Sequence, residues 1–203
     1  MTVPIAIATE DELSEAMALR LVAELPQAHR VTHCLRKGGF GYLSSKMGNW
    51  CQMAQHQVML VVTDLDQVDC ALALRRQWFG RLHAPESMLL RVAVRESEAW
   101  ALSDHVAIRQ LLGPKGSLPT APESLPDPKQ ALLKLAKSAP KDIKADLLRE
   151  SNGRLQQGLG YNSRLVAWIQ TVWSPERAAE RSPSLARTRM RLNEAVCRFS
   201  QHI

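Results

Sequence analysis

Residues 58–67 read VMLVVTDLDQ, and the fold turns on how this stretch is read. Its opening apolar residues run without alternation, which fits a strand buried on both faces of a parallel sheet. At its end the chain delivers Asp64 and Asp66, one residue apart. Neighbouring carboxylates repel unless a proton or a cation neutralises them. In open parallel sheets, functional groups gather at the carboxyl ends of strands.

Working outward, VPIAIAT (3–9) is a second apolar segment of strand length, followed by Glu10, Asp11 and Glu12. In DELSEAMALRLVAEL (11–25), apolar residues at 13, 17, 18, 21, 22 and 25 carry helical periodicity, and Pro26 closes the run. A strand is expected over 29–35, a flexible basic loop over RKGGFGYLSSK (36–46), and helices over 47–57 and near 69–81. SMLLRVAV (87–94) is another apolar strand, and RESEAWALSD begins a helix running to about residue 112. This alternation predicts an α/β chain with a mostly parallel sheet flanked by helices.

GPKGSLPTAPESLPDPK (113–129) carries five prolines and two glycines, so a regular element is excluded and a long surface connection is expected. Helical pattern resumes in QALLKLAK and KADLLRES. SNGRLQQGLGYN (151–162) reads as a loop, and the helices SRLVAWIQTVW and SLARTRMRLNEAVCRF complete the chain. The expected organisation is an α/β core over 1–112, a Pro-rich connection over 113–128, and a basic helical extension over 129–203 packing on the core.

The 203 residues are 45% hydrophobic and 23% charged, enough to bury a core in water. No apolar run approaches the roughly 18 residues of a membrane span, and the N-terminal residues carry no secretory pattern, so the cytoplasm is expected. Cys34, Cys51, Cys70 and Cys197 are scattered without CxxC spacing, which fits free thiols in a reducing compartment. With His29, His33 and His56 they match no zinc template. Charge is unevenly divided. Residues 1–128 hold 12 Lys+Arg against 14 Asp+Glu, net −2, and residues 129–203 hold 14 against 6, net +8. The basic part suits either a polyanion-facing surface or a set of solvated helix faces.

Three acidic groups fall after expected strands: Glu10 to Glu12, Asp64 with Asp66, and Glu96 with Glu98. Taken singly, each has an ordinary explanation. Asp64 caps the next helix, Asp66 is solvated, and Glu96 and Glu98 pair with Arg91 or Arg95. Taken together at one sheet edge, they suit a hard divalent cation, Mg²⁺ or Mn²⁺, held by carboxylate oxygens.

This pattern resembles the toprim (topoisomerase–primase) superfamily, carried here by IAIATEDELSE and VVTDLDQ. That family sets a glutamate after its first strand and an Asp-x-Asp after a central one, binding Mg²⁺ in a compact α/β fold. RVAVRESEAWALSD, with DPK and ERSPSLA, is similar to small bacterial toprim-like proteins found beside ATPases in phage-defence settings. The family often reads V-E-G straight off the strand. Here Ala8 and Thr9 stand in that place and the acid follows at Glu10 or Glu12. The resemblance implies a toprim-like sheet and Mg²⁺- or Mn²⁺-dependent nuclease or phosphoryl-transfer chemistry on nucleic acid, DNA or RNA. Glu10, Asp64 and Asp66 are then the metal and catalytic residues, with Glu98 nearby. The alternative is a non-catalytic subunit that binds and regulates an AAA/ABC-type ATPase partner.

Nucleic-acid contacts are expected from Lys37 and Lys46 in the glycine-rich loop and from Lys129, Lys134 and Lys137 beyond the prolines. That loop lacks the Walker and dinucleotide spacings, so it is not expected to hold ATP. Tryptophans 50, 78, 100, 168 and 173 sit at helical positions and are expected in the core. Ser44, Ser45 and Ser103 have no histidine–acid pattern that would make them nucleophiles.

Overall fold

The structure, a computed structural model, describes residues 2–36 and 39–201. By their internal contacts these form two compact units. The first comprises Met1–Ala93 with Arg187–Ile203, and the second Val94–Ala186.

The first unit is an α/β layer. β1 (Val3–Thr9), β2 (His29–Arg36), β3 (Val58–Asp64) and β4 (Met88–Ala93) form one sheet in the order β2-β1-β3-β4, and every neighbouring pair is parallel. Val58 to Val62 are fully buried, as are Val3 and Ile5 to Ala8, because helices cover the central strands on both faces. The outer strand β2 is different. Seven of its eight residues, HRVTHCLR, are polar, sulfur-bearing or β-branched, and it stays largely exposed, as suits an edge that must not recruit another strand.

α1 (Glu12–Ala23) starts at Asp11, whose carboxylate accepts from the Ser14 N–H at 2.8 Å while the Ser14 hydroxyl accepts from the Asp11 N–H. This is a capping box, and the helix ends three residues before Pro26. The expected loop over 36–46 contains a short helix, α2 (Gly39–Ser45), followed by α3 (Met47–Met53). The Trp50 indole N–H donates to the Leu43 carbonyl at 3.1 Å, and buried Leu43 and Met47 give the segment an apolar anchor that its glycines conceal. α4 (Ala71–Phe79) packs Leu74 and Trp78 inward.

In the second unit the single helix expected after β4 is two, α5 (Ser97–Ser103) and α6 (His105–Leu112). Asp104 breaks them. Fully buried, its carboxylate caps α6 at the Ala107 N–H and accepts from the Ser174 N–H and from the Arg177 Nε and Nη2 at 2.7–3.1 Å. The Pro-rich stretch forms one 3₁₀ turn, Pro122–Ser124. α7 (Pro128–Ala136) opens with Asp127 capping the Gln130 N–H and Pro128 in the first turn. Pro140 precedes α8 (Lys141–Leu147).

KADLLRES is not one helix. α8 stops at Leu147, and β5 (Leu148–Ser151) pairs antiparallel with β6 (Arg154–Gln157). Asn152 and Gly153 both hold positive φ, 51° and 70°, the two-residue turn that matches strand twist. α9 (Tyr161–Thr171), α10 (Pro175–Ala179) and the long α11 (Pro183–Gln201) follow. Trp100 and Trp173 are fully buried, and Trp173 donates its indole N–H to the Trp100 carbonyl at 3.2 Å. The tryptophans are core residues.

The units do not follow the expected boundaries at 112/113 and 128/129. The second begins at Val94, before the prolines, and the first takes back the chain from Arg187. From there, α11 packs Leu192 and Val196 within the first unit. Among the described residues, no helix is long and apolar enough to cross a membrane.

Candidate functional site

The parallel register of β1 against β3 sets Thr9 opposite Val62. One step further, Glu10 lies across from Thr63. The Glu10 Oε1 accepts a hydrogen bond from the Thr63 hydroxyl, which is fully buried, and another from the Asp64 N–H at 3.0 Å. Two strand ends are thus joined through one carboxylate. Of the two glutamates left open by the sequence, Glu10 is the one that reaches β3. Glu12 sits exposed in the first turn of α1, 3.6 Å from the Arg36 guanidinium.

Asp64 is half-buried at the end of β3 and Asp66 is exposed two residues on. Asp64 does not cap the following helix: α4 is capped by Cys70, whose sulfur accepts from the Ala73 N–H. Asp66 holds φ +48°, a left-handed conformation that costs most side chains but that aspartate tolerates better than most. The bend follows a last ladder bond from the Leu65 N–H to the Ala93 carbonyl, with Leu65 buried beneath it.

Burial is the largest influence on Glu10 and raises its pKa above the usual 4.5. The bonds from Thr63 and Asp64 oppose the rise, and the charges of Asp66 and Asp11 add to it. Glu10 therefore holds a proton to higher pH than a solvated glutamate does.

Among the described residues, no three His, Cys, Asp or Glu side chains converge into a ready metal cage. The donor chemistry of Glu10, Asp64 and Asp66 is nevertheless all oxygen and strongly anionic. It suits Mg²⁺ or Mn²⁺ held by one or two carboxylates with water completing the shell, the usual way Mg²⁺ is bound.

Glu98 and Lys129 fall in the second unit. Glu98, 3% exposed, accepts from the Tyr161 hydroxyl at 2.9 Å, with Lys129 Nζ 3.5 Å away. Glu96 accepts from the Lys129 backbone N–H at 3.0 Å. The donors shown for the two glutamates come from α7 and α9. Burial pushes the Glu98 pKa up, with Lys129 and Tyr161 opposing, and burial together with the Glu98 charge pushes the Tyr161 hydroxyl far up. This buried network ties α5, α7 and α9 together. From the sequence Tyr161 is expected in the 151–162 loop, open to stacking on or hydrogen bonding to nucleic acid; in the structure it opens α9, buried, with its hydroxyl on Glu98.

Of the basic residues expected to meet nucleic acid, Lys37 lies outside the described residues. Lys46 is exposed at the α2–α3 junction. Lys129 is engaged with Glu98, Lys134 lies in the last turn of α7, and Lys137 pairs with Glu150 at 3.1 Å. Pro140 separates Lys134 and Lys137 from Lys141 and Lys144, so the four do not share one helix.

The first unit is thus a parallel α/β layer with three acidic residues at the carboxyl ends of two adjacent strands. Compared with family models, curated proteins and solved structures, the chain matches none.

Proposed function

We propose that the chain is a Mg²⁺- or Mn²⁺-dependent nuclease, or a related phosphoryl-transfer enzyme, acting on nucleic acid in the cytoplasm with a toprim-like carboxylate edge. Phage defence beside an ATPase partner is the setting proposed with it. The observation that carries this is the Glu10 carboxylate bound across the sheet to Thr63 and Asp64, with the charge of Asp66 beside it. A bound cation supplies charge to the phosphate oxygens and acidifies an attacking water. Asp64 and Asp66 would hold that cation at the end of β3. Glu10, with its raised pKa, is suited to take a proton from water and release it to a leaving oxygen. Lys46 offers a positive group to the substrate backbone.

The test pairs Mn²⁺ binding, followed by calorimetry, with cleavage of labelled single- and double-stranded DNA and RNA. Asp64→Asn should lose both cation binding and cleavage while its circular dichroism and melting stay unchanged. Cleavage by wild-type protein that survives excess EDTA, or that persists in Asp64→Asn, refutes the proposal.

One observation favours the non-catalytic alternative, a subunit that binds and regulates an ATPase. Glu10 Oε1 already serves two protein donors, as a purely structural carboxylate would. In that case Mn²⁺ leaves the melting temperature unmoved, no nucleic acid is cut, and a neighbouring ATPase co-purifies.

A further inference from the structure

A cavity of about 520 Å³ opens in the first unit at the amino-terminal end of β4. The acidic site lies at the carboxyl ends of β1 and β3, so the two features are separate. Five arginines line the cavity: Arg75 from α4, Arg91 from β4, and Arg187, Arg191 and Arg198 from α11. The three on α11 recur at spacings of four and seven, which sets them on one helix face. Met88, Leu89 and Met190 supply apolar wall between the charges.

The positive charge is only partly answered. Glu194 pairs with Arg191 at 2.8 Å and Glu86 with Arg198 at 3.0 Å. Among the described residues, Arg75, Arg91 and Arg187 have no carboxylate partner. Neutral acceptors fix two of them: Arg75 Nη1 donates to the Leu90 carbonyl at 2.9 Å, and Arg91 Nε to the buried Thr188 hydroxyl at 3.3 Å. Their guanidiniums are therefore held in place with their charge intact. Burial, aided by Arg75, Arg187 and Arg191, pulls the Arg91 pKa down to about 10. An uncompensated cationic cluster is unfavourable in the empty protein, and an anion relieves it.

We propose that this cavity binds an organic phosphate of mononucleotide size, with its phosphates on Arg75, Arg91 and Arg187 and its apolar portion against Met88, Leu89 and Met190. Planar guanidinium forks match phosphate oxygens two at a time, and several around one concave site favour more than one phosphate group. The volume lies within the range of small-molecule sites, and the apolar wall gives a base or similar ring a surface to cover. Arg187, Arg191 and Arg198 are exposed at the rim, so a ligand reaches the half-buried Arg75 and Arg91 past them.

The experiment uses the full chain in EDTA at low salt, titrated calorimetrically with pyrophosphate, AMP and ATP, and with a short single-stranded oligonucleotide as a separate arm. ATP should bind more tightly than AMP or pyrophosphate and should raise the melting temperature. Arg187→Gln and Arg91→Gln should each weaken ATP by about tenfold or more. Arg187 is exposed, so its variant stays informative if Arg91→Gln folds poorly. Asp64→Asn should bind ATP as the wild-type protein does, which separates this site from the proposed nuclease centre. The proposal is overturned if ATP gives neither heat nor a melting shift up to about 1 mM, or if Arg187→Gln binds ATP unchanged. It is equally overturned if only the oligonucleotide binds through these arginines, because the cavity then serves a nucleic-acid backbone.

Discussion

Two substitutions at Glu10 leave different things behind. In Glu10→Ala, the buried Thr63 hydroxyl and the Asp64 N–H both lose their acceptor. An orphaned buried donor costs about 1–3 kcal/mol, and water entering this half-buried edge recovers part of it, so a total of about 1–2 kcal/mol is expected. In a chain of this size that lowers Tm by roughly 2–8 °C. Glu10→Gln keeps an amide oxygen as acceptor for both donors and has no charge to desolvate. The pKa shift gives the pH dependence. Burial raises the Glu10 pKa above 4.5, so the folded state binds the proton more tightly than the unfolded state. This contribution to stability is fully present below the unfolded value and is lost as pH rises from about 4.5 through the raised value. Glu10→Gln lacks that loss. Without metal at neutral pH it should be at least as stable as the wild-type protein, and its relative advantage should shrink in acid. Urea unfolding of all three proteins across this pH range measures the effect. The reasoning fails if Glu10→Gln loses as much as Glu10→Ala at neutral pH, or if the wild-type protein and Glu10→Gln share one pH slope.

Asp66→Gly removes a carboxylate from a left-handed position that glycine occupies without strain, so stability should change by less than about 1 kcal/mol while Mn²⁺ affinity falls. Calorimetry beside thermal melting separates the two effects, and unchanged Mn²⁺ binding would remove Asp66 from the site. Tyr161→Phe takes a hydroxyl donor from buried Glu98 and should cost about 1.5–3 kcal/mol in urea unfolding. Unchanged stability would show that Lys129 alone satisfies Glu98. Asp104→Ala removes the buried acceptor of four N–H groups, the Ala107 and Ser174 amides and two on the partly exposed Arg177 guanidinium, and should cost about 2–4 kcal/mol. Retained stability in that variant would mean that Asp104 does not hold α5, α6 and α10 together.

The sequence by itself determined the α/β class and most of the elements of the first unit. VPIAIAT and VMLVVTD are apolar without alternation because helices cover both faces, and that pattern is local enough to read directly. The Asn152-Gly153 turn was equally local, since two consecutive residues that tolerate positive φ mark a hairpin, but the helical look of KADLLRES obscured it. The short helix at 39–45 was hidden because three of the residues in GGFGYLSS are glycine, and its stability comes from Leu43 packed in the core rather than from propensity. Tertiary structure decided the rest. Glu10, Asp11 and Glu12 are equally acidic neighbours, and only the parallel register of β1 on β3 turns Glu10 toward Thr63 and Asp64 while Asp11 caps a helix and Glu12 faces Arg36. Glu98 looks like another strand-end acid until α7 and α9 bring Lys129 and Tyr161 onto it. The arginine cavity joins residues 75 and 91 to a helix about a hundred positions later. Periodicity reports which face of an element is buried, but not which distant charges will share that face, because long-range packing chooses the neighbours.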